Sequence, residues 1–314
     1  LTKFITPIPL SVLPVNSFTS MFLDEGRIFT APGGTGYYGV PFLVDPLVLF
    51  SNRSTLSNSG IARPPATWEG LTGLVPSVAV LTPARQVTRS LIALGTYDNV
   101  RNARGILSTI FLQQNIPISS YSTNGVLSAD LGQGSTSNSP HGSAVLGFYT
   151  QFADPSKISY TWNSSLPNST QMFLSGDLAL YLGYVSEARY LQSANPNLNF
   201  NVTPVPQSAV TSQKSVYGLL YAFMIPHGAK NSAGAYQTAI LLAGSAEQAT
   251  AAAATGLAPA TLNELAKAPS DDPVASVSYP EALYSRGWLS PSSADTDHIF
   301  SGMIGNVISG RSMI

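Results

Sequence analysis

A chain of 314 residues, 44% of them hydrophobic, exceeds what one ordinary core organises and suits two domains or lobes. Its 15 basic and 16 acidic residues leave a formal charge of −1 without any basic stripe, which excludes the electrostatic footprint of a nucleic-acid binder. Cysteine is absent, so disulfides, thiolate metal sites and cysteine nucleophiles are excluded together, and no apolar run approaches the ~18 residues of a membrane span.

In chain order, the first feature is GTGYYG, which fits G-x-G-x-x-G at Gly34, Gly36 and Gly39. A phosphate cradle needs a strand before the glycines and a helix opening directly after them. Here Pro32 breaks the approach, and Val40-Pro41-Phe42-Leu43-Val44 favours a strand, so the spacing predicts a plain solvent turn ahead of strands at YGVPFLV and LVLFSN. NVRNARGILSTIFLQQN puts Val100, Ala103, Ile106, Leu107 and Ile110 on one helical face, with Asn99 placed to cap it. A long loop at Leu131–Ser143 is rich enough in Ser, Asn and Gly to be functional. SAVLGFYTQFAD follows as a helix with Ala144, Val145, Phe148, Tyr149 and Phe152 inward, stopped at Pro155. Strands are expected at LALYLG, NFNVTPVP and YGLLYAFMIP, then two successive helices, the second ending at Gly256. Strands alternating with helices predict an α/β sheet.

Several phrases stand in one order. Tyr38-Gly39-Val40-Pro41 leads into an apolar strand ending at Asn52, followed by a helix start carrying Pro65, Thr67, Trp68, Glu69 and Leu71. Further on come Phe173, Gly176, Ala179 and Gly183, then Phe200, Val202, Pro204 and Pro206, then Thr255, Gly256 and Pro259, and last the tail around Trp288. This succession resembles the extracellular solute-binding proteins of ABC importers, in their sugar-binding branch. The resemblance implies a two-lobed, periplasmic-binding-protein-like α/β fold with hinge crossings. It also implies an incomplete first lobe, because the family's opening strand–helix–strand units precede anything that resembles Leu1. The lobes are expected at 1–44 with 222–270, and at 45–221 with 271–314. Crossings are expected at PFLVDPLV, at LLYAFMIP and near DDPVASVSYP.

The family binds its solute between the lobes by hinge closure and passes it to a membrane permease. The resemblance therefore implies a small-molecule ligand, most simply a sugar, an ABC permease as partner, a monomer, no cofactor, and an extracytoplasmic place with a lipid anchor in the full-length form. A charge-poor chain suits a neutral sugar, whose hydroxyls pair with carboxylates and amides and whose C–H face packs on aromatic rings.

Seven residues are candidate ligand contacts, each with a plainer alternative. Asp45 matches an acidic sugar-contacting position of the family, or is a turn residue before Pro46. Thr96, Tyr97 and Asn99, in ALGTYDN, lie at a helix N-terminus, or form a capping loop only. Tyr184 and Glu187 fall where the family has an aromatic pocket residue, although Glu187 also suits the first-turn acid of a helix. Trp288 matches a Trp that stacks on sugar, or is a core residue. Trp68 and Trp162 are expected to be packing residues.

His141, His227 and His298 are far apart in sequence, which argues against zinc, and no G-x-S-x-G elbow occurs. An enzyme is therefore not expected. The alternative to transport is a structural or interaction protein of the cell exterior that reuses the same fold.

Overall fold

The computed structural model describes residues 3–121, 126–131 and 142–311. The loop expected at Leu131–Ser143, with His141, lies almost wholly outside the described residues. The chain forms two compact units, one of Leu1–Pro46, Ser119–Ala129 and Val216–Leu289, the other of Leu47–Ile118, Asp130–Ser215 and Ser290–Ile314. The principal elements are strand β1 (Val40–Asn52), helix α1 (Trp68–Val78), β2 (Val87–Ile92), α2 (Ala103–Gln113), α3 (Gly142–Thr150), β3 (Leu178–Tyr184), β4 (Phe200–Thr203), β5 (Val216–Phe223), α4 (Ser232–Leu242), α5 (Ser245–Thr255), α6 (Ala275–Leu283), β6 (Ser285–Arg286) and α7 (Ser293–Ile308).

The two strands expected at the start are one strand of 13 residues, β1. Proline lacks a ladder donor, and both internal prolines sit where that omission is tolerated. Opposite Pro41–Leu43 the register slips at Tyr221/Ala222, a β-bulge. Pro46 falls where the partner changes, since Val40–Pro46 pair antiparallel with β5 and Leu47–Ser51 pair antiparallel with β3.

In the first unit, β5 also pairs in parallel with β6, and Ala258–Pro259 pairs with Val44 and Leu43. Leu23, Val44, Ala258, Ala260, Leu265, Tyr279 and Ala282 close the core between this sheet and α6, and a second cluster gathers around Phe18, whose ring stacks on Tyr37 at 3.8 Å. Buried Gln248 on α5 donates to the carbonyls of Pro41 and Ala243 and accepts from the amides of Ala260 and Thr261. A buried amide with all these bonds made fixes the helix on the strand.

In the second unit, β1 has β4 antiparallel on one side and β3 on the other, and β3 runs parallel to β2. A parallel pair requires a crossover, here supplied by α2 and α3. Trp162, Tyr149, Phe152, Phe173 and Tyr181 fill this core. The Trp68 indole donates to Gln113 Oε1 at 2.6 Å, and the Gln113 amide in turn donates to the carbonyls of Pro206 and Ser215.

Local differences from the sequence expectation have physical causes. Helix α2 starts at Ala103, with Asn102 rather than Asn99 at its N-cap but without a side-chain capping bond; the amides of both Asn99 and Asn102 are engaged by distant partners. On α3 the inward residues are Val145 and Tyr149; Phe148 is half-buried and Ala144 exposed. The hairpin Ser119–Tyr121/Leu127–Ala129 and the stretch 271–289 belong to the first unit, whereas the expected division set both with the other lobe. Pairing of β6 with β5 ties 285–286 there. The chain passes from one unit to the other at Ser215–Val216, ahead of LLYAFMIP, and at Leu289–Ser290, well after DDPVASVSYP.

Candidate functional site

The first unit carries a cavity of about 580 Å³ built from three parts of the chain: Arg27, Ile28 and Thr30–Gly34; Ser119–Tyr121 with Leu127; and Gly287–Leu289. Trp288 and Tyr121, both half-buried, supply aromatic faces. Thr30, Ser119, Ser120 and the Arg27 guanidinium supply polar groups. The Ser119 hydroxyl donates to the Leu289 carbonyl at 2.7 Å, which pins the hairpin beside Trp288. Arg27 pairs with Asp24 at 3.5 Å in an exposed contact of little energetic weight, leaving its remaining donors for other partners.

Of the three glycines in G-x-G-x-x-G, Gly34 forms part of this wall, with Gly33 beside it, whereas Gly36 and Gly39 are buried away from it. Pro32–Gly34 is a single 3-10 turn in which Gly33 and Gly34 have φ of 73° and 66°, the left-handed region that favours glycine. No helix opens at Gly39, so the phosphate-cradle geometry is absent; the turn is exposed, and it edges a pocket rather than facing solvent alone.

The second unit brings Thr96, Tyr97 and Asn99 together in a cavity of about 430 Å³, which Asn163, Ser164 and the α7 residues Ser301 and Ile304 also line. Their polar atoms are mutually engaged. Asn99 Oδ1 accepts from the Thr96 hydroxyl and from the Trp162 indole at 3.2 Å, and its amide donates to the carbonyls of Asn163 and Leu166. The Tyr97 hydroxyl donates to Asp297 on α7 at 2.6 Å. Burial first, then that carboxylate, raises the Tyr97 pKa, so the phenol keeps its proton. Gly95, at φ 105°, lets this loop pass where a Cβ would meet the Ala153 amide nitrogen at 2.6 Å.

Glu187 is the first acid of the helix Glu187–Ala194, and its carboxylate holds a network. It accepts from the Tyr181 hydroxyl, from the Asn102 amide at 2.7 Å and from the Tyr184 backbone N–H at 2.9 Å. Tyr184 itself is half-buried at the end of β3. Asp45 is neither a turn residue nor placed after a strand: it lies inside β1 opposite Leu219 and is 2% exposed. Its charge adds to burial in raising the pKa of Tyr221. Trp68 and Trp162 are both buried, as expected of packing residues.

Sequence reading missed Arg27 and Tyr121. Arg27 carried no motif. Tyr121 had a faint signal in the following Asn124-Gly125, a dipeptide that favours hairpins. A third cavity, of about 430 Å³, lies beside Trp68 and Phe148, whose rings meet edge to face. Among the described residues no cluster of three or more His, Asp or Glu could hold a metal, and no helix is long and apolar enough to cross a membrane.

The fold is shared with solved sugar receptors. A cyclo/maltodextrin-binding protein complexed with maltotetraose superposes with a TM-score of 0.74 at 16% identity, over 99% of this chain and 74% of that one. The GacH receptor of Streptomyces glaucescens, solved unliganded and with acarbose, gives 0.68 at 15%, over 99% and 75%. A maltodextrin-binding protein of L. casei gives 0.69 at 17%, also over 99% and 75%. At such identities the likeness establishes the fold, the α/β architecture expected from the sequence. Residues 14–277 match the bacterial extracellular solute-binding proteins, and the chain belongs to that family. No curated protein matches the sequence.

Proposed function

We propose that the protein binds a sugar or oligosaccharide at the cell exterior and delivers it to an ABC importer, working as a lipid-anchored monomer. Family membership supports solute binding, and the fold neighbours solved with maltotetraose and acarbose favour carbohydrate among solutes. The observation that carries the reading is the Trp288–Tyr121 pocket. A pyranose presents an apolar C–H face to an aromatic ring and hydroxyls to the serine, threonine and arginine donors around it. Its volume of about 580 Å³ suits one to a few sugar rings.

Among the candidate contacts, Trp288 takes the central role in this reading. Thr96, Tyr97 and Asn99 act by shaping their loop, Glu187 and Tyr184 by holding β3 to the following helix, and Asp45 from within β1. The test is calorimetric titration with maltotetraose, mannobiose and glucose, beside an amino acid and a dipeptide as controls. Saturable binding of a sugar, with a change in Trp288 emission, is the expected result. Binding of the amino acid or dipeptide in preference to every sugar overturns the carbohydrate assignment.

A further inference from the structure

Glu25 plays no part in the binding reading. It lies on the 3-10 turn Asp24–Phe29, is 4% exposed, and neither carboxyl oxygen has a hydrogen-bond partner. The Ser285 hydroxyl approaches it without reaching hydrogen-bond geometry and is itself unpartnered. Oε1 stands 2.7 Å from where a Cβ on Gly287 would lie, so the carboxyl fills the space that a side chain there would take. Gly287, Trp288 and Leu289 line the Trp288 pocket, and so do Arg27 and Ile28 from Glu25's own turn. Glu25 is thus wedged between two walls of the pocket without entering it.

The charged groups nearby are Asp24 and Arg27 on the same turn and Arg286 on β6. Asp24 pairs with Arg27 at 3.5 Å and with Arg286 at 3.6 Å, which draws the cations toward the surface carboxylate. Burial outweighs first the pull of the Ser285 hydroxyl and then the attraction of Arg286, and pushes the Glu25 pKa up to about 8. A carboxylate formed here would have the Ser285 hydroxyl as its nearest donor and would need further donors from water. The easiest segment to yield is Gly287–Leu289, which follows a strand of only two residues.

We propose that Glu25 is a positioning residue for the Trp288 pocket: in its neutral form it seats Gly287 and Trp288 in the arrangement that takes ligand, and its ionisation displaces that segment and lowers affinity. The proposal rests on the sugar-binding reading of this pocket, but it has a readout independent of any ligand. Trp68 and Trp162 are buried, so acrylamide-quenchable emission reports Trp288.

The experiment titrates maltotetraose into the wild-type chain, E25Q and E25M across the neutral to alkaline range, and records acrylamide quenching of the same samples without sugar. For one group titrating near 8 whose ionised form does not bind, Kd rises about 30-fold between about pH 7 and about pH 9.5. The same ratio falls below about threefold in both variants, which lack the titrating group. Quenching of the wild type rises with the same midpoint and stays flat in both. An undiminished Kd ratio in the variants, or a flat quenching profile in the wild type, overturns the proposal. Failure of maltotetraose to bind at any pH would count against the sugar reading with that probe, and the quenching titration would still decide the role of Glu25.

Discussion

The pocket around Trp288 and the loop around Asn99 both line a cavity with polar and aromatic residues, yet they use them in different ways. At Asn99 and Glu187 every acceptor named above is occupied by a donor of the same unit: Trp162, Thr96, Tyr181, Asn102 and the Tyr184 amide. Around Trp288 the Ser119 hydroxyl is bonded to the Leu289 carbonyl and Arg27 is paired with Asp24, but the buried Glu25 carboxyl behind them has no hydrogen-bond partner. A side chain whose bonds are complete rigidifies its surroundings, whereas one facing volume can exchange water for a ligand. The difference separates scaffold from site in a way that residue type alone does not.

That contrast is broken most directly at its two poles. Trp288→Ala should weaken sugar binding by about 30- to 150-fold, the loss of an aromatic anchor of about 2–3 kcal/mol, while moving Tm by only a few degrees. Isothermal titration alongside a thermal melt checks both halves, and a large fall in Tm with unchanged affinity would move Trp288 to the scaffold side. Glu187→Ala should behave in the reverse sense. It strips the Tyr181 hydroxyl, the Asn102 amide and the Tyr184 N–H of an acceptor at once, a destabilisation of about 3 kcal/mol in chemical denaturation. An affinity loss larger than the stability loss would place Glu187 in the ligand site.

Much of the scaffold was legible before the structure. The long helical periods at α2, α4 and α5 and the Gly256 stop follow from periodicity and backbone chemistry, and the phrase order from Tyr38 to Trp288 resembled the family to which the chain belongs. The site was less legible because its walls are far apart in sequence. Arg27, Tyr121 and Trp288 meet through a hairpin bonded to Leu289, a long-range contact that no local pattern encodes. Asn99 does not cap α2 for a related reason: besides Thr96, its side chain is held by Trp162, Asn163 and Leu166, more than sixty residues on.

Glu25 extends the comparison to pH. Its ordinary value of 4.5 applies to the unfolded chain, and burial raises the folded value to about 8. Below the unfolded value both states are protonated and the group is silent. Between the two values the unfolded chain releases a proton that the folded chain keeps, so stability falls as pH rises, by on the order of a few kcal/mol in total. Above the folded value both states are ionised and the penalty stays constant. Denaturation at about pH 5 and about pH 8 should therefore show a wild-type loss that E25Q largely removes. No difference between the two proteins would mean that the carboxyl finds a donor or water when ionised.

The smallest expected effect lies where the two regions are most alike, at Tyr97. It lines a cavity, as Trp288 does, but its hydroxyl is already bonded to Asp297, which also stands 3.5 Å from Arg104. Tyr97→Phe removes that one bond and leaves the ring in place. The Asp297 carboxylate keeps Arg104 and is half exposed, so water can replace the phenol. Stability should then fall by only about 0.5–1.5 kcal/mol in chemical denaturation, and sugar affinity should change by less than about threefold. A tenfold loss of affinity at unchanged stability would show that the Tyr97 hydroxyl leaves Asp297 for the ligand. The loop Thr96–Asn99 would then join Trp288 as part of the binding surface, and an occupied hydrogen bond would no longer suffice to mark a residue as scaffold.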